Sequence, residues 1–368
     1  MNILHIGHSK GWRGGENQVR LLIEGLVESF PEASNFIAYP KGAHIFQRLE
    51  SSIKGALLFS SSRILSVNAL YRLVQFCKLN DINVLHAHSA KAHSLAYFAK
   101  LFLPSIKLVV HRRVENSIKT SYFTRKKYLS QNIDAWFAIS DKTYQMLESY
   151  GIHSSRIFLI KDGIPEQTYQ FSDKKEAKDN LIKMFGWKVE DPLIGFVSAL
   201  DSQKNPSLFI NMMEQLRNNG IQCNAVIAGT GKQKSILNDE IKARGLSDNV
   251  QLLGFVENVQ NVFQGIDVLV LPSRKEGLGT VLLEAALAKC SIVASDVGGI
   301  GEIVKHKQTG FLATSDEVST FVDSVRYVLT NPDHVDAIKE NALQYVELNF
   351  NMRAVVDKTY RVYLGLFD

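Results

Sequence analysis

Cysteine pairs, long apolar runs and proline-rich segments are absent from this sequence. Its 368 residues include eight prolines and three widely spaced cysteines, Cys77, Cys223 and Cys290. Because no C-x-x-C pair occurs, a disulfide framework and a thiolate zinc site are excluded, which indicates a reducing compartment. No window approaches about 18 uninterrupted apolar residues, and no basic and then apolar leader follows Met1. We therefore expect a cytoplasmic chain without a signal peptide or a membrane span.

Acidic residues are scarce in the first half of the chain. Residues 1–165 contain 21 lysines and arginines but only 11 aspartates and glutamates, a formal charge of +10, whereas the remainder carries −5. A basic half favours an anionic partner, such as a nucleic acid, an anionic membrane leaflet or a phosphorylated substrate. The alternative is a solvated basic surface that has no partner.

Short β-branched runs alternate with segments of helical period in residues 1–160 and again from residue 192, and residues 161–191 interrupt this alternation. The rhythm predicts an α/β fold with two Rossmann-like domains, each built on a doubly wound parallel sheet. The predicted strands lie at 2–7, 82–86, 107–110, 135–139, 157–160, 193–197, 224–228, 250–253, 268–271 and 292–295.

The predicted domains are residues 1–165 and 166–350. Open α/β sheets bind ligands at the carboxyl ends of their strands, so two such domains predict a cleft between them. The last helical segment, within residues 351–368, is amphipathic, and its apolar face requires a partner surface.

The loop after the first strand is rich in glycine. It reads GHSKGWRGGEN over residues 7–17 and leads into a helix, so Gly14 and Gly15 allow a ligand to approach the backbone and the helix N–H groups to receive an anion. The loop lacks the G-x-G-x-x-G order of a dinucleotide fingerprint, and no G-x-x-x-x-G-K-S/T phosphate loop occurs in the chain. A flexible glycine turn is the alternative interpretation.

A second segment joins a buried strand to a helix through the sequence PSRKEGLGT. If the helix begins near Gly279, the free N–H groups of Gly279, Thr280 and Val281 can hold a diphosphate. Glu276 in the loop and Glu284 in the helix would flank it, one carboxylate facing a sugar and the other a ribose. For Glu284 the alternative is an ordinary exposed helical acid.

Histidines follow two other predicted strands. His86 and His88 have no acidic or cysteine neighbour in the sequence, which disfavours a metal site. His111 is followed by Arg112 and Arg113; the histidine can donate to a phosphate or a sugar hydroxyl, and the arginines can grip an anionic acceptor. A structurally satisfied histidine explains the same spacing.

Lys204 follows the first strand of the second domain, in SALDSQKNP. An exposed lysine usually serves solubility alone. Its place at a strand end makes a ligand-binding role equally compatible with the sequence.

Taken together, these segments resemble the retaining glycosyltransferases of family four, nucleotide-sugar enzymes with the GT-B fold. The resemblance extends over nearly the whole chain, and its most specific part is PSRKEGLGTVLLEAALAKCSIVASDVGGIGEIV at 272–304. Shorter matching segments are GGE at 14–16, HAHS at 86–89, KDGIP at 161–165, AGTGKQKS at 228–235, LGFV at 253–256 and TGFL at 309–312.

The resemblance implies a role for each matching residue. Glu276 matches the glutamate that hydrogen-bonds the donor sugar, and Glu284 matches the one that holds the ribose. Lys204 matches the lysine that binds the diphosphate, and His111 matches a histidine near the transferred sugar. Contacts with the donor are also implied for Gly14, Gly15, Gly229, Leu278, Gly279 and Thr280. The final helix would cross back to the first domain.

One position departs from the family pattern. Similar enzymes read Gly-Arg-Leu after the first strand of the second domain, with that arginine on the diphosphate, whereas this chain has Ala199 in an SAL segment. Losing a charge-assisted hydrogen bond costs about 1.5–3 kcal/mol. The arginines that could replace it are Arg13, Arg112 and Arg274.

The resemblance implies transfer of a sugar from a nucleoside diphosphate sugar, with a UDP-sugar as the expected donor, to a hydroxyl of a lipid-linked or cell-envelope glycan such as a lipopolysaccharide core. The transfer would proceed with retention and without a metal or other cofactor, in keeping with the absence of an Asp-x-Asp motif. No nucleic acid partner is expected.

The segment KTSYFTRKKY at 119–128 mixes basic and aromatic residues in a way that suits an anionic membrane. We therefore expect the protein at the inner face of a membrane. The alternative for this segment is a plain amphipathic helix packed on its domain.

Two other functions are compatible with the same architecture: an inactive glycan-binding protein, which the loss of the arginine would explain, and a nucleotide-sugar epimerase. The missing dinucleotide fingerprint disfavours a nicotinamide oxidoreductase.

Overall fold

The computed structural model describes residues 1–60, 65–115, 117–165 and 174–368. The chain forms two compact units. Unit 1 contains Met1–Pro165 and Phe350–Asp368, and unit 2 contains Glu166–Asn349. Each unit has its own parallel sheet, which confirms the predicted α/β class.

The sheet of unit 1 has seven strands within the described ranges. They are β1 (Asn2–Ile6), β2 (Ser34–Pro40), β3 (Gly55–Phe59), β4 (Val84–Ala87), β5 (Lys107–Arg112), β6 (Ala135–Ala138) and β7 (Ile157–Leu159). The strand order is β3-β2-β1-β4-β5-β6-β7. β2 and β3 were not predicted, although FIAY at 36–39 and ALLF at 56–59 are apolar runs; β2 is entirely buried and ends in proline, and β3 is half exposed.

Helices cover both faces of this sheet. They are α1 (Gly14–Ser29), α2 (Ile45–Leu49), α3 (Val67–Leu79), α4 (Ala90–Phe102), α5 (Tyr122–Tyr128) and α6 (Asp141–Ser149), with a 3-10 turn at Ser154–Arg156. α3 and α4 pack with Leu85 and Leu108 on one face, and α1 packs with Val84 and Val109 on the other. Serine side chains cap α3, α4 and α6, each accepting a hydrogen bond from the backbone N–H three residues on.

Unit 2 has a six-stranded sheet in the described part of the chain. Its strands are β8 (Leu193–Val197), β9 (Asn224–Ala228), β10 (Val250–Gly254), β11 (Val268–Leu271), β12 (Ser291–Ser295) and β13 (Phe311–Ala313). The order is β10-β9-β8-β11-β12-β13. The three-residue β13 was not predicted, because it is too short to give a periodic signal.

The helices of unit 2 are α7 (Lys174–Phe185), α8 (Pro206–Asn218), α9 (Lys234–Ala243), α10 (Gln260–Gly265), α11 (Val281–Leu287), α12 (Ile300–Ile303), α13 (Val318–Thr330) and α14 (Pro332–Asn349). α8 and α13 bury apolar side chains against one face of the sheet. None of the helices described in either unit combines the length and the apolar character needed to cross a bilayer.

The last helix, α15 (Met352–Gly365), packs against α1 in unit 1. Gly25 of α1 lacks the Cβ that would otherwise lie 2.5 Å from a methyl carbon of Val356, so the two helices approach closely. Phe30 stacks on Tyr360 with 3.9 Å between ring centroids, and the Tyr360 hydroxyl donates to Glu32. The final helix thus returns to the first domain, as the resemblance implied.

Candidate active site

The loops of unit 2 that carry the predicted donor-binding residues follow neighbouring strands. The order of the sheet reverses between β8 and β11, because β9 and β10 extend it on one side and β12 and β13 on the other. Ligands of open parallel sheets bind at such a reversal, at the carboxyl ends of the strands. Lys204 follows β8 and Glu276 follows β11, so these two side chains flank the reversal.

Lys204 and Glu276 form an ion pair. The Glu276 carboxylate also accepts a hydrogen bond from the Ser273 hydroxyl at 3.1 Å. The backbone N–H of Lys204 is held by the carboxylate and the carbonyl of Asp201, both at 3.2 Å. Both charged side chains are partly exposed, so the pair can exchange partners with a ligand that enters from solvent.

The turn between β11 and α11 differs from the prediction. The sequence indicated a helix from Gly279 to Lys289, but α11 begins at Val281 and ends at Leu287. Gly279 has a φ of +86°, in the left-handed region, and therefore cannot belong to a right-handed helix. Among the described residues, the backbone N–H groups of Leu278, Gly279 and Thr280 have no backbone acceptor, which leaves them for a ligand. Glu284 lies within α11 and is half-buried.

Gly229 lies in the loop after β9, beside the loop after β8. Its φ is +148°, and a Cβ at this position would lie 1.9 Å from the Ser198 carbonyl oxygen. The backbones are also tied together by hydrogen bonds from Ser198 to Ala228 and from Leu200 to Thr230. Glycine is therefore required for the two loops to lie side by side.

We expect Gly229→Ala to destabilise unit 2 more than Gly220→Ala does. Gly220 also has a positive φ, of +75°, but nothing lies within 4 Å of its hypothetical Cβ. The control should cost about 1–2 kcal/mol for backbone strain alone. The backbone clash at position 229 should add roughly 1–3 kcal/mol. Urea unfolding of both variants measures the difference, and equal losses would show that contact with Ser198 does not constrain the loop.

The three arginines proposed to compensate for Ala199 lie in different surroundings. Arg112 is buried and donates to the Tyr128 hydroxyl. Arg13 is exposed just before α1. Arg274 lies on the loop of Glu276, after β11, and contacts the loop of Lys204: its backbone N–H donates to the Gln203 carbonyl, and its guanidinium donates to the Ser202 carbonyl and the Asp316 carboxylate. Arg274 is thus the candidate that shares unit 2 with Lys204.

In unit 1, Gly14 and Gly15 form the exposed start of α1, immediately after the loop that follows β1. A Cβ on Gly15 would have nothing within 4 Å. The unit 1 sheet reverses its order between β1 and β4, so this loop lies at the reversal of its own sheet. Burial raises the pKa of the neighbouring Glu16.

Four histidines gather at the same edge of unit 1. His5 lies opposite His86 in the parallel register of β1 and β4. His88 stacks against His5, with 5.3 Å between ring centroids, and its ring centroid is 3.9 Å from that of His86. His111 stacks on His86 at 5.7 Å. His5 was not predicted as a site residue, although its place at the end of the first strand was the available signal.

The hydrogen bonds of this cluster include a contact with the last helix. His5 Nδ1 and His88 Nε2 lie 3.1 Å apart, and His86 Nδ1 lies 2.6 Å from the Tyr363 hydroxyl of α15. Neither ring nitrogen of His111 has a hydrogen-bond partner among the described residues. Burial lowers the pKa of His5 to about 4 and the pKa values of the other three well below their usual range. The four imidazoles are therefore neutral at neutral pH.

Three of these rings have the spacing of a metal site. One ring nitrogen each of His5, His86 and His88 lies within 4.8 Å of the other two. However, two of the nitrogens already share a hydrogen bond, and the guanidinium of Arg113 acts on all three rings in the direction that disfavours positive charge. No carboxylate belongs to this donor set. The arrangement therefore favours a network of neutral imidazoles.

Arg112 and Arg113 lie largely inside unit 1. Arg112 is buried, and Arg113 forms an ion pair with the buried Asp162 of the KDGIP segment. A buried guanidinium is stable only with such a partner. Both arginines have partners inside unit 1, so an anionic acceptor would have to displace Asp162 to bind Arg113, and their binding of an acceptor stays a prediction.

The structure brings the predicted residues together in two sets. Unit 2 groups Lys204 and Glu276 at the sheet reversal, with the turn at residues 278–280 on the loop of Glu276 and Gly229 on a neighbouring loop. Unit 1 groups Gly14 and Gly15 at one loop and His111 in the histidine cluster. The sequence analysis did not identify Ser273, Asp316 or Asp162, because isolated polar residues in loops give no pattern.

Two family models match this chain. The model for Glycosyltransferase Family 4 matches residues 12–168, and the model for Glycosyl transferases group 1 matches residues 177–345. Together with the two parallel-sheet units, these matches define a glycosyltransferase of the GT-B class. Within that class, its first unit is similar to family four and its second unit to group 1.

Named relatives and solved structures agree with this assignment. The chain is 27% identical over 197 residues to the alpha-D-kanosaminyltransferase of Streptomyces kanamyceticus, covering 53% of this chain and 51% of that protein, about half its length. It is 27% identical over 245 residues to the lipopolysaccharide core biosynthesis mannosyltransferase LpcC of Rhizobium leguminosarum bv. viciae, covering 65% and 67%. The crystal structure of Anabaena HepE in complex with UDP and glucose matches the fold with a TM-score of 0.86, at 19% identity, over 99% of this chain and 100% of that chain.

Proposed function

We propose that this protein transfers a sugar from a nucleoside diphosphate sugar to a hydroxyl of a cell-envelope glycan. The observation that carries the proposal is the pair of Lys204 and Glu276 at the strand-order reversal of unit 2. An ammonium group beside a carboxylate suits a ligand that has both a diphosphate and sugar hydroxyls. The diphosphate needs a cation, and the hydroxyls need a hydrogen-bond acceptor.

A UDP-sugar is the proposed donor. HepE, whose fold this chain shares, has been crystallised with UDP and with UDP-glucose. On binding, the diphosphate would take Lys204 from Glu276, and the released carboxylate would accept hydrogen bonds from the sugar. The N–H groups at residues 278–280 and the exposed start of α1 at Gly14 and Gly15 are proposed as further donor contacts. Glu284 is proposed to hold the ribose, and His111 to lie near the transferred sugar.

The proposed chemistry breaks the bond between the anomeric carbon and the diphosphate oxygen. The electron pair leaves with the diphosphate, whose growing negative charge Lys204 and the free N–H groups stabilise. The acceptor hydroxyl attacks from the face of the leaving group, and its proton passes to a diphosphate oxygen. This route retains the configuration at the anomeric carbon and needs neither a protein nucleophile nor a metal. Arg274, whose loop contacts the loop of Lys204, is proposed to add the charge that Ala199 lacks.

The acceptor is proposed to be a lipid-linked or surface glycan, such as a lipopolysaccharide core. The enzyme would bind it at the inner face of a membrane. The relative LpcC is named for lipopolysaccharide core biosynthesis. The basic first half of the chain favours an acceptor that carries phosphate groups or lies on an anionic lipid surface.

We expect a UDP-sugar to raise the melting temperature of the intact chain and to be consumed slowly by hydrolysis in the absence of acceptor. A panel of UDP-, GDP- and ADP-sugars, each with and without excess chelator, measures both effects. Because the proposed cation is an ammonium group, the chelator should change neither. Turnover that stops with chelator would contradict the metal-free mechanism. Neither binding nor hydrolysis of any donor would favour the inactive glycan-binding alternative, and an isomerised donor without acceptor would identify an epimerase.

A further inference from the structure

Helices α3, α4 and α5 of unit 1 contain no aspartate or glutamate. They carry five exposed basic side chains, those of Arg72, Lys78, Lys91, Arg125 and Lys126. Lys119 adds another exposed positive charge just before α5. This surface is therefore positive throughout, with no acidic residue on its helices to neutralise it locally.

The same helices expose large apolar side chains. These include Tyr71 and Leu79 on α3, Phe98 and Phe102 on α4, and Tyr122 and Phe123 on α5. Leu79 and Phe123 are each 81% exposed. Phe98 and Phe102 are four residues apart and so lie on one side of α4. Single exposed apolar residues are ordinary, but several on adjoining helices indicate an interaction surface.

The three helices form one layer of unit 1. Their buried sides share a single core cluster on one face of the sheet, through residues such as Leu73, Leu95 and Tyr128. The side chain of Lys127 in α5 donates to the Ser94 hydroxyl in α4, which joins these two helices. The opposite face of the sheet is covered by α1 and α15. The exposed aromatic and basic side chains therefore belong to one continuous layer, the α3–α5 surface.

We propose that the α3–α5 surface docks on a membrane of anionic phospholipid. Aromatic and leucine side chains enter the headgroup region of such a membrane, and lysine and arginine side chains bind its phosphates. A protein partner would have to offer matching acidic residues, and a second copy of this surface would repel the first. The proposal deepens the proposed function, because it names the surface that would bring the enzyme to a lipid-borne acceptor, but vesicle binding itself requires no donor or acceptor.

Co-sedimentation of the intact chain with vesicles tests this proposal. Vesicles of phosphatidylcholine alone are compared with vesicles that contain phosphatidylglycerol, at low and at high salt. We expect binding to the anionic vesicles at least about tenfold tighter than to the neutral ones, and weakened by salt. Equal binding to both, or binding to neither, would overturn the proposal. Self-association through this surface without lipid, seen by analytical ultracentrifugation, would assign it to a second copy instead.

Two sets of variants distinguish vesicle binding through the α3–α5 surface from nonspecific binding. Arg125→Glu with Lys126→Glu, and separately Leu79→Ser with Phe123→Ser, should each lower anionic-vesicle binding at least about tenfold. All four side chains are exposed, so folding should persist. The matched control combines Leu348→Ser with Arg361→Glu, which are also exposed but lie on α14 and α15. An equal loss in the control would refute the assignment to the α3–α5 surface.

Donor hydrolysis by the same variants keeps the two proposals apart. If the proposed function holds, hydrolysis of a UDP-sugar should be unchanged in the surface variants, because none of the altered residues belongs to the donor site. Vesicle binding without any donor turnover would support the proposed docking surface and refute the proposed enzymatic function. Donor turnover without vesicle binding would support the proposed enzyme and refute the docking surface.

Discussion

Lys204→Ala is expected to lower donor turnover by about 10²–10³-fold, with the chain still folded. Lys204 is the cation at the sheet reversal, and removing one preorganised group that stabilises developing negative charge has this size of effect. Glu276→Ala should be equally damaging for a different reason, because the sugar would lose its acceptor group. Initial rates with the donor found in the screen measure both effects.

The control for these variants is another ion pair of unit 2. Lys289 and Glu340 lie 2.6 Å apart and are about half exposed, away from the sheet reversal. Lys289→Ala and Glu340→Ala should leave turnover unchanged, and the free energy of unfolding should fall by about 1 kcal/mol or less. Wild-type rates in Lys204→Ala or Glu276→Ala would remove the assigned roles. A loss shared by the control pair would attribute the effect to stability.

Mild acid is expected to unfold unit 1 well before unit 2. Five histidines of unit 1 are buried, and burial lowers the pKa of each: His5 to about 4, and the others well below the usual value. Those four are His86, His88, His93 and His111. The two histidines of unit 2, His306 and His334, are exposed. Protonation therefore penalises the folded form of one unit only.

The sign follows from the lowered pKa values. Above about pH 6.5 these histidines are neutral in the folded and the unfolded chain, so their contribution to stability is fully present. As the pH falls below 6.5 the unfolded chain takes up protons that the folded chain refuses, and stability is lost until the folded pKa values are reached. Each histidine removes about 1.4 kcal/mol per pH unit, so five remove up to roughly 7 kcal/mol per pH unit.

Hydrogen exchange in urea at pH 7, 6 and 5, followed on peptides from each unit, measures this difference. In His93→Phe the pH dependence of the stability of unit 1 should fall by about one proton, because one buried histidine is removed. Phenylalanine should fit the site, because the His93 ring packs between Tyr128 and Trp136 and its Nε2 has no hydrogen-bond partner among the described residues. His334→Gln should change nothing. Parallel losses of stability in the two units would refute the histidine origin.

Much of this architecture could be read from local patterns. Among the strands in the described part of the chain, the alternation of apolar runs and helical periods predicted five of seven in unit 1 and five of six in unit 2, because buried parallel strands leave a strong local signal. β2 and β3 were missed although each contains a four-residue apolar run, and the three-residue β13 is too short to give a periodic signal. The helix start at Gly279 was misjudged, since a left-handed φ at a glycine is not visible in the spacing of residues.

By itself, the sequence determined the two α/β sheets, the basic first half and the residue types at the strand ends, since each of these depends on neighbours a few positions apart. Only the tertiary structure decided which of those residues meet. Lys204 and Glu276 are 72 residues apart, and His86 and Tyr363 are 277 apart; each pair touches because of strand order or helix return. It also decided that Arg113 forms an ion pair with Asp162. Such contacts depend on the path of the whole chain, which local periodicity does not encode.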